Sequence, residues 1–236
     1  MTDFTYVGSE LELFREAQNW KAYWSRLLGS YLGDEVLEVG AGIGGTTEIL
    51  CKGSQRRWVC LEPDPVLTNT LRATITNTYL LECCEAKLGT LQSLNKEEMF
   101  DTIIYVDVLE HIKDDKMEIR LAANHLKDGG FLVVLAPAHQ WLFTPFDEAI
   151  GHYRRYDKSM FYAVVPDSLE CIDLKYLDCI GLVASLGNRF ILKSKMPNKK
   201  QILFWDRFMI PFSRVFDPLL QYSIGKSIFG VWQKRT

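Results

Sequence analysis

The chain has 236 residues, 47% hydrophobic and 24% charged, which suits one globular domain able to bury a core without metals or disulfides. A formal net charge of −3 leaves no electrostatic footprint for nucleic acid, and no uncharged run approaches the roughly 18–20 apolar residues of a membrane span. The opening MTDFTYVGSELELF lacks the order of a secretory signal, and Cys51, Cys60, Cys83, Cys84, Cys171 and Cys179 show no CxxC or His–Cys metal spacing, so a reduced, cytoplasmic protein is expected.

Residues 10–32 place Leu13, Phe14, Ala17, Trp20, Trp24, Leu27 and Leu28 at helical spacing, predicting one or two helices that end near Gly33. A short strand, Val36-Leu37-Glu38-Val39, runs at once into Gly40-Ala41-Gly42-Ile43-Gly44-Gly45, and a helix follows over 46–51. A second strand over 58–61 closes on Glu62-Pro63-Asp64-Pro65; a helix over 66–75 and a third strand near 79–83 come next. Residues 100–106 predict a buried strand leading into Asp107-Val108-Leu109-Glu110-His111. A helix over 116–126 should stop at Gly129-Gly130, before a strand over 131–136 ended by Pro137. Further strands are expected near 171–177 and 228–233. Strands alternating with helices imply a doubly wound α/β architecture with a largely parallel sheet.

Gly40, Gly42 and Gly45 satisfy G-x-G-x-x-G between strand and helix, with Glu62 at the end of the next strand. A dinucleotide site has this fingerprint, but a class I methyltransferase uses the same geometry. Glu38 favours the second reading. A carboxylate on a buried strand needs a partner, which a ligand's α-ammonium group supplies and a pyrophosphate does not.

VLEVGAGIGG, Glu62, FDTIIYVDVLEHI and LKDGGFLVVLAPAHQWLF together resemble consecutive motifs of small-molecule class I S-adenosylmethionine-dependent methyltransferases of the type 11/12 kind, over about residues 19–160. The resemblance implies a Rossmann-like seven-stranded sheet with an antiparallel last strand, and S-adenosyl-L-methionine at the carboxyl ends of the first strands. It implies that Gly40, Gly42 and Gly44 underlie the methionine part and that Glu38 orients its amino group. Glu62 would hold the ribose, and Pro63 would edge the adenine. Thr90 and Leu91 lie where such enzymes carry an acidic residue near the adenine amine, a departure from the family pattern. Asp107 and Val108 would meet the methionine and the transferable methyl.

Methyl transfer needs alignment of acceptor, methyl and sulfur, and removal of a proton from the acceptor. His139 and His111, each beyond a strand's carboxyl end, are the candidate bases, with Asp107 beside them; His125 reads as a helix-end residue. Glu110-His111 can also be read as a capping pair. Asp107, Glu110 and His111 could gather a divalent metal, as in some relatives, but the spacing does not favour it and no metal is expected. His152, Arg154, Arg155, Tyr156 and Trp141 form a candidate acceptor site, since arginine forks suit anionic groups and aromatic rings stack on sugars. Against this, Arg154 or Arg155 could pair with Asp147 or Asp157 to fix the loop. The segment PAHQWLFTPFDEAIGHYRRY is similar to methyltransferases of polysaccharide and glycoconjugate assembly, which implies a small-molecule or glycan acceptor, with a lean to oxygen.

One domain over 1–236 is expected, with a helical cap over 1–33 and a helical insertion or lid over 181–225. Within that insertion, 193–200 is basic, and 202–220 is rich in aromatic and aliphatic residues interrupted by Pro211 and Pro218, which should break any long helix. This stretch reads as a lid or core, as a homodimer face, or as a membrane-surface contact that would make the protein peripheral. The competing functions are a nicotinamide-dependent oxidoreductase and a non-catalytic protein of methyltransferase fold. A base methyltransferase is disfavoured, because no Asn/Asp-Pro-Pro-Tyr/Phe motif follows the fourth strand.

Overall fold

The computed structural model describes residues 10–76, 78–187 and 198–235. The Leu13 side chain and the basic run 193–197 lie outside the described residues.

Residues 10–32 form two helices, α1 (Glu10–Arg15) and α2 (Gln18–Gly29). The apolar spacing of α2 buries Trp20, Tyr23, Trp24 and Leu28 against the sheet. Five strands then run parallel: β1 (Glu35–Val39), β2 (Arg57–Glu62), β3 (Cys84–Leu88), β4 (Phe100–Val106) and β5 (Leu126–Pro137). Between them lie α3 (Thr47–Leu50), α4 (Pro65–Thr76) and α5 (Asp115–Asn124), and beyond β5 lie α6 (Pro145–Ala149) and α7 (Lys158–Val164). The chain continues with β6 (Leu169–Leu177), α8 (Cys179–Gly187), α9 (Lys199–Phe204), α10 (Ile210–Leu219) and β7 (Ser227–Lys234). The sheet order is β3-β2-β1-β4-β5-β7-β6, with β7 antiparallel to both neighbours. The Rossmann-like seven-stranded α/β fold expected from the sequence is the fold observed.

Apolar residues cover both faces of this sheet, as a parallel sheet requires. Leu37, Ile103, Tyr105, Phe161 and Trp232 pack on one face, and Val36, Trp58, Ile104, Trp24 and Leu28 on the other. Each fully buried aliphatic side chain among them contributes roughly 1.5–3 kcal/mol. From β1 the chain winds outward through β2 and β3, then returns to place β4 on the other side of β1. The loops after β1 and β4 therefore diverge and leave a crevice between them.

Three local expectations are corrected. Residues 79–82 form a 3-10 turn, and the third strand starts only at Cys84; as a half-exposed edge strand it carries little apolar signal. The Gly129-Gly130 pair does not separate helix from strand, because β5 already begins at Leu126. The pair is accommodated within the strand, with Gly129 at φ +76° and a register shift opposite Phe100 and Thr102. Lastly, the two prolines do not break the helix of the insertion. A π-helical turn, Trp205–Met209, joins α9 to α10; Pro211 follows directly on that irregular turn, and Pro218 lies inside α10 one residue before its end, where little helix remains to disrupt.

Three buried aspartates fasten this continuous helix. Asp206 accepts the Asn19 and Trp20 amides at 3.2 and 2.9 Å, at the start of α2. Asp217 accepts the Tyr23 hydroxyl at 2.8 Å and the Asp178 and Cys179 amides at 2.7 and 3.0 Å. Asp178 accepts the Ser213 hydroxyl and the Trp205 indole N–H at 2.7 and 2.8 Å. The opposite face of the helix exposes Phe204, Phe208, Phe212, Val215 and Leu219, each more than half accessible. Among the described residues, no helix is long and apolar enough to cross a membrane.

Candidate active site

A cavity of about 1790 Å³ opens at the carboxyl ends of β1, β2 and β4. Its outer wall is the glycine loop after β1. Gly40 and Gly42 take φ of +67° and +57°, and a Cβ on Gly40 would stand 2.6 Å from Val108 Cγ2, so only glycine lets the two loops approach. Gly44 is different: it does not line the cavity, and its open side meets Leu71 at 3.0 Å, so its role is packing against α4. Gly45 and Thr46 line the wall in its place.

Glu62 is buried yet borders the cavity. It accepts the Gly42 amide with Oε2 and the Asp64 amide with Oε1, both at 2.9 Å. Burial raises its pKa, opposed by these two bonds. A carboxylate accepting one bond per oxygen keeps lone pairs for two ligand hydroxyls. Pro63, Thr90 and Val108 also line the cavity. Leu91 does not; it is buried in the core, and Gln92 takes its place on the wall.

Glu38 is corrected too. Its side chain lies behind the loop, where Oε2 accepts the Thr47 hydroxyl at 2.7 Å and the Trp58 indole N–H at 2.8 Å. Two protein donors thus occupy the role given to the ligand, while Oε1 is buried without a partner. Burial pushes this carboxyl up to about 7.

The inner end gathers titratable groups. Asp107 sits just beyond β4 at φ +53°, a strained conformation of the kind concentrated at functional sites. Asp107 lines the cavity and is exposed to it; the protein atoms crowded around its carboxyl push it up to about 6, against the pull of His152, Lys226 and Arg155. Beside it, burial holds His111 down to about 4, so the ring is neutral near pH 7. Glu110 is fully buried, and neither of its carboxyl oxygens has a hydrogen-bond partner. Asp147, in the first turn of α6, is the hub of the segment 144–155. It receives Arg155 through Nε at 2.8 Å and Nη2 at 3.0 Å, His152 Nδ1 at 3.1 Å, and the Thr144 amide and hydroxyl, each at 2.8 Å. Those partners hold its carboxyl down to about 2.

Of the residues expected at the acceptor end, the structure brings Asp107, His111, His152 and Arg155 to the cavity and leaves four outside it. His139 is stacked between Trp141 and Tyr176, at 5.2 and 4.7 Å between ring centres, and has no face on the cavity. Trp141 is held in that stack on the outer surface. Arg154 points the other way, bonded to Asp115 and to the carbonyls of Ile112 and Lys113. Tyr156 is a core residue whose hydroxyl bonds Asp115 at 2.9 Å. Arg155 thus makes the loop-fixing pair with Asp147, whereas Arg154 is engaged with Asp115, a partner that alternative did not include.

Sequence reasoning missed Lys226, Tyr153 and Gln92 as lining residues. Lys226 had a signal. An antiparallel last strand must start at the edge where the parallel strands end, so the residue just before β7 belongs at the site. Helices α8 and α9 close the cavity from above with Ala184, Ser185, Gln201 and Ile202.

Comparison with known proteins agrees with this geometry. The family model of the methyltransferase domain matches residues 12–169. Among solved structures, coclaurine N-methyltransferase bound to N-methylheliamine and SAH superposes with a TM-score of 0.64 at 14% identity, covering 98% of this chain and 83% of that one. An S-adenosylmethionine-dependent methyltransferase from Clostridium acetobutylicum gives 0.58 at 13% identity, covering 93% and 92%. The mitomycin 7-O-methyltransferase also gives 0.58, at 15% identity, covering 95% of this chain and 54% of that one. No curated protein matches the chain by sequence. At these identities the structures show the fold alone; the family match, which takes in more than half the chain and the loops after β1, β2 and β4, goes further. The chain belongs to the class I methyltransferases, enzymes that use S-adenosyl-L-methionine.

Proposed function

We propose that this enzyme methylates a small-molecule or glycan-type acceptor, at oxygen in preference to nitrogen, at the inner end of the cavity. The observation that carries the reading is Asp107, at the carboxyl end of β4, lining the same cavity as His111, Asp147 and His152. A hydroxyl acceptor must lose its proton as it attacks, and a carboxyl raised to about 6 is ionised at neutral pH yet basic enough to receive it.

The cofactor fits the residues present. Glu62 retains lone pairs for ribose hydroxyls, Gly40 and Gly42 leave the loop surface free of side chains, and the volume exceeds the roughly 300–1,000 Å³ of a single-ligand pocket. When bound, S-adenosyl-L-methionine supplies a methyl group on a sulfonium. The chain's own residues do the rest. The glycine loop underlies the methionine part and Glu62 holds the ribose, Asp107 takes the acceptor proton, and α8 and α9 exclude water as the lid of a single domain over 1–236. Arg155, Thr144 and His152 keep Asp147 rigid beneath the acceptor.

The stripe of Phe204, Phe208, Phe212, Val215 and Leu219 favours a second element of the reading. Lys199, Lys200, Arg207 and Arg214 accompany it, the composition of a helix that rests on an anionic membrane surface. An acceptor linked to lipid would reach the lid from there.

The test is a screen with methyl-labelled cofactor against sugars, phenols and amines, paired with Asp107→Asn. Labelled ethers and a loss of about 10²–10⁴-fold in kcat for the variant are expected, with SAH affinity little changed. Exclusive labelling of amines, or full activity of Asp107→Asn, would overturn the proposal.

A further inference from the structure

Glu110, His111 and His152 each offer a ligand atom within 4.8 Å of the other two, on the wall of the cavity. Glu110 and His111 follow β4, whereas His152 arrives from the loop after α6, so no spacing in the sequence unites them. His152 is oriented by Asp147, which already accepts the Arg155 fork and therefore acts as an acceptor toward Nδ1. The Nδ1 proton is thereby used, and the Nε2 lone pair faces Glu110 Oε1 at 3.8 Å, beyond hydrogen-bond reach. Neither Glu110 oxygen has any other hydrogen-bond partner, although the side chain is fully buried. His111 stands edge-on to His152 at 4.5 Å between ring centres, with its own ring bonded to the Gly151 backbone.

Glu110 Oε1 and His152 Nε2 face each other without a hydrogen bond, and both imidazoles are held by a partner of their own. That is the arrangement of metal-ligating histidines, whose other nitrogen is held by a carboxylate or a carbonyl. Burial, with Asp107 nearby, holds the Glu110 carboxyl well above its ordinary range, so a cation binding there would take the place of its proton. We propose that Glu110, His111 and His152 form a three-ligand site for a divalent transition metal such as Zn²⁺, with its open position toward the cavity. Two imidazoles and a carboxylate suit such an ion, and bonds of about 2.0–2.2 Å set donor atoms roughly 3.3–3.6 Å apart. The Glu110–His152 pair, at 3.8 Å, is close to that spacing, and His111, within 4.8 Å of both, would draw in by up to about 1.5 Å. An ion there would hold an acceptor oxygen beside Asp107 and make its hydroxyl more acidic. This last step rests on the methyltransferase reading; the metal site itself does not.

The test is Co²⁺ titration of the metal-stripped full chain, followed by visible absorption, with SAH calorimetry run separately. One equivalent should bind with the weak d–d bands of nitrogen and oxygen ligands, and Glu110→Gln and His152→Ala should each weaken binding by 100-fold or more. Glu110→Gln keeps the side chain's shape, so it serves if His152→Ala fails to fold. The thiols of Cys51, Cys83 and Cys84 also lie within 4.8 Å of one another, so the triple serine variant is the control. No Co²⁺ binding at micromolar concentration would overturn the site, as would intense near-ultraviolet thiolate bands that vanish in the serine variant. Co²⁺ binding without SAH binding would instead overturn the methyltransferase reading and leave the site standing.

Discussion

Glu62→Gln is the sharpest perturbation of the cofactor wall. In the wild type both carboxyl oxygens accept backbone amides, from Gly42 and Asp64, at 2.9 Å. An amide keeps the size but turns one oxygen into an NH₂ that must point at an N–H or at the bound ribose. Losing one hydrogen bond to a charged acceptor costs about 1.5–3 kcal/mol, which is roughly 10- to 150-fold in Kd for SAH. The fold should suffer less, because only one backbone bond is lost; about 1 kcal/mol corresponds to a fall in Tm of roughly 2–4 °C in a chain of this size. Calorimetry with SAH, alongside a thermal melt, separates the two effects. A Kd within twofold of wild type, in a protein that melts normally, would refute the placement of the ribose on Glu62.

Glu38→Gln should alter pH dependence instead. Burial lifts the folded-state value from 4.5 to about 7, so between these limits the folded chain holds a proton that the unfolded chain has released. Stability is therefore full below about pH 4.5 and falls as pH rises to 7, by on the order of 3 kcal/mol from this group. Urea unfolding at pH 5 and 7.5 should show a shallower fall in the variant, and an unchanged slope would contradict the assignment. Arg155→Ala leaves Asp147 buried without its fork and should cost about 3–5 kcal/mol, lowering Tm by on the order of 10 °C. A KM effect on acceptor without that loss would restore the anion-gripping role. For the apolar stripe, Phe208→Ser with Phe212→Ser should abolish co-sedimentation with anionic liposomes; a wild-type protein that stays in the supernatant removes the membrane contact.

Much of the site was legible because parallel α/β sheets place function at strand ends. Strand ends and glycine spacing drew attention to Gly40, Gly42 and Glu62, and the family resemblance added the roles given to them and to Asp107 and Val108. The errors share a cause: a motif gives position along the chain, not the direction in which a side chain points. Glu38, on β1, turns toward Trp58; Gly44, in the loop after it, packs against Leu71; and Leu91 turns into the core one residue before Gln92 turns out. His139 follows the right strand, but its φ of +66° sends it into an aromatic stack. The Asp147 hub is local, and its pairing with Arg155 was one of the alternatives open from the sequence, but the meeting of His152 with Glu110 joins two segments distant in sequence, which one sequence cannot bring together. The same limit hid the π turn, which carries the helix of the insertion up to Pro211.

The central claim is that the cavity is an S-adenosylmethionine site, and calorimetric titration of the full chain with SAH, NAD(H) and NADP(H) tests it most directly. The account predicts one SAH per chain at micromolar Kd, about −8 kcal/mol, and no heat from either nicotinamide cofactor. Nicotinamide binding without SAH binding would contradict it.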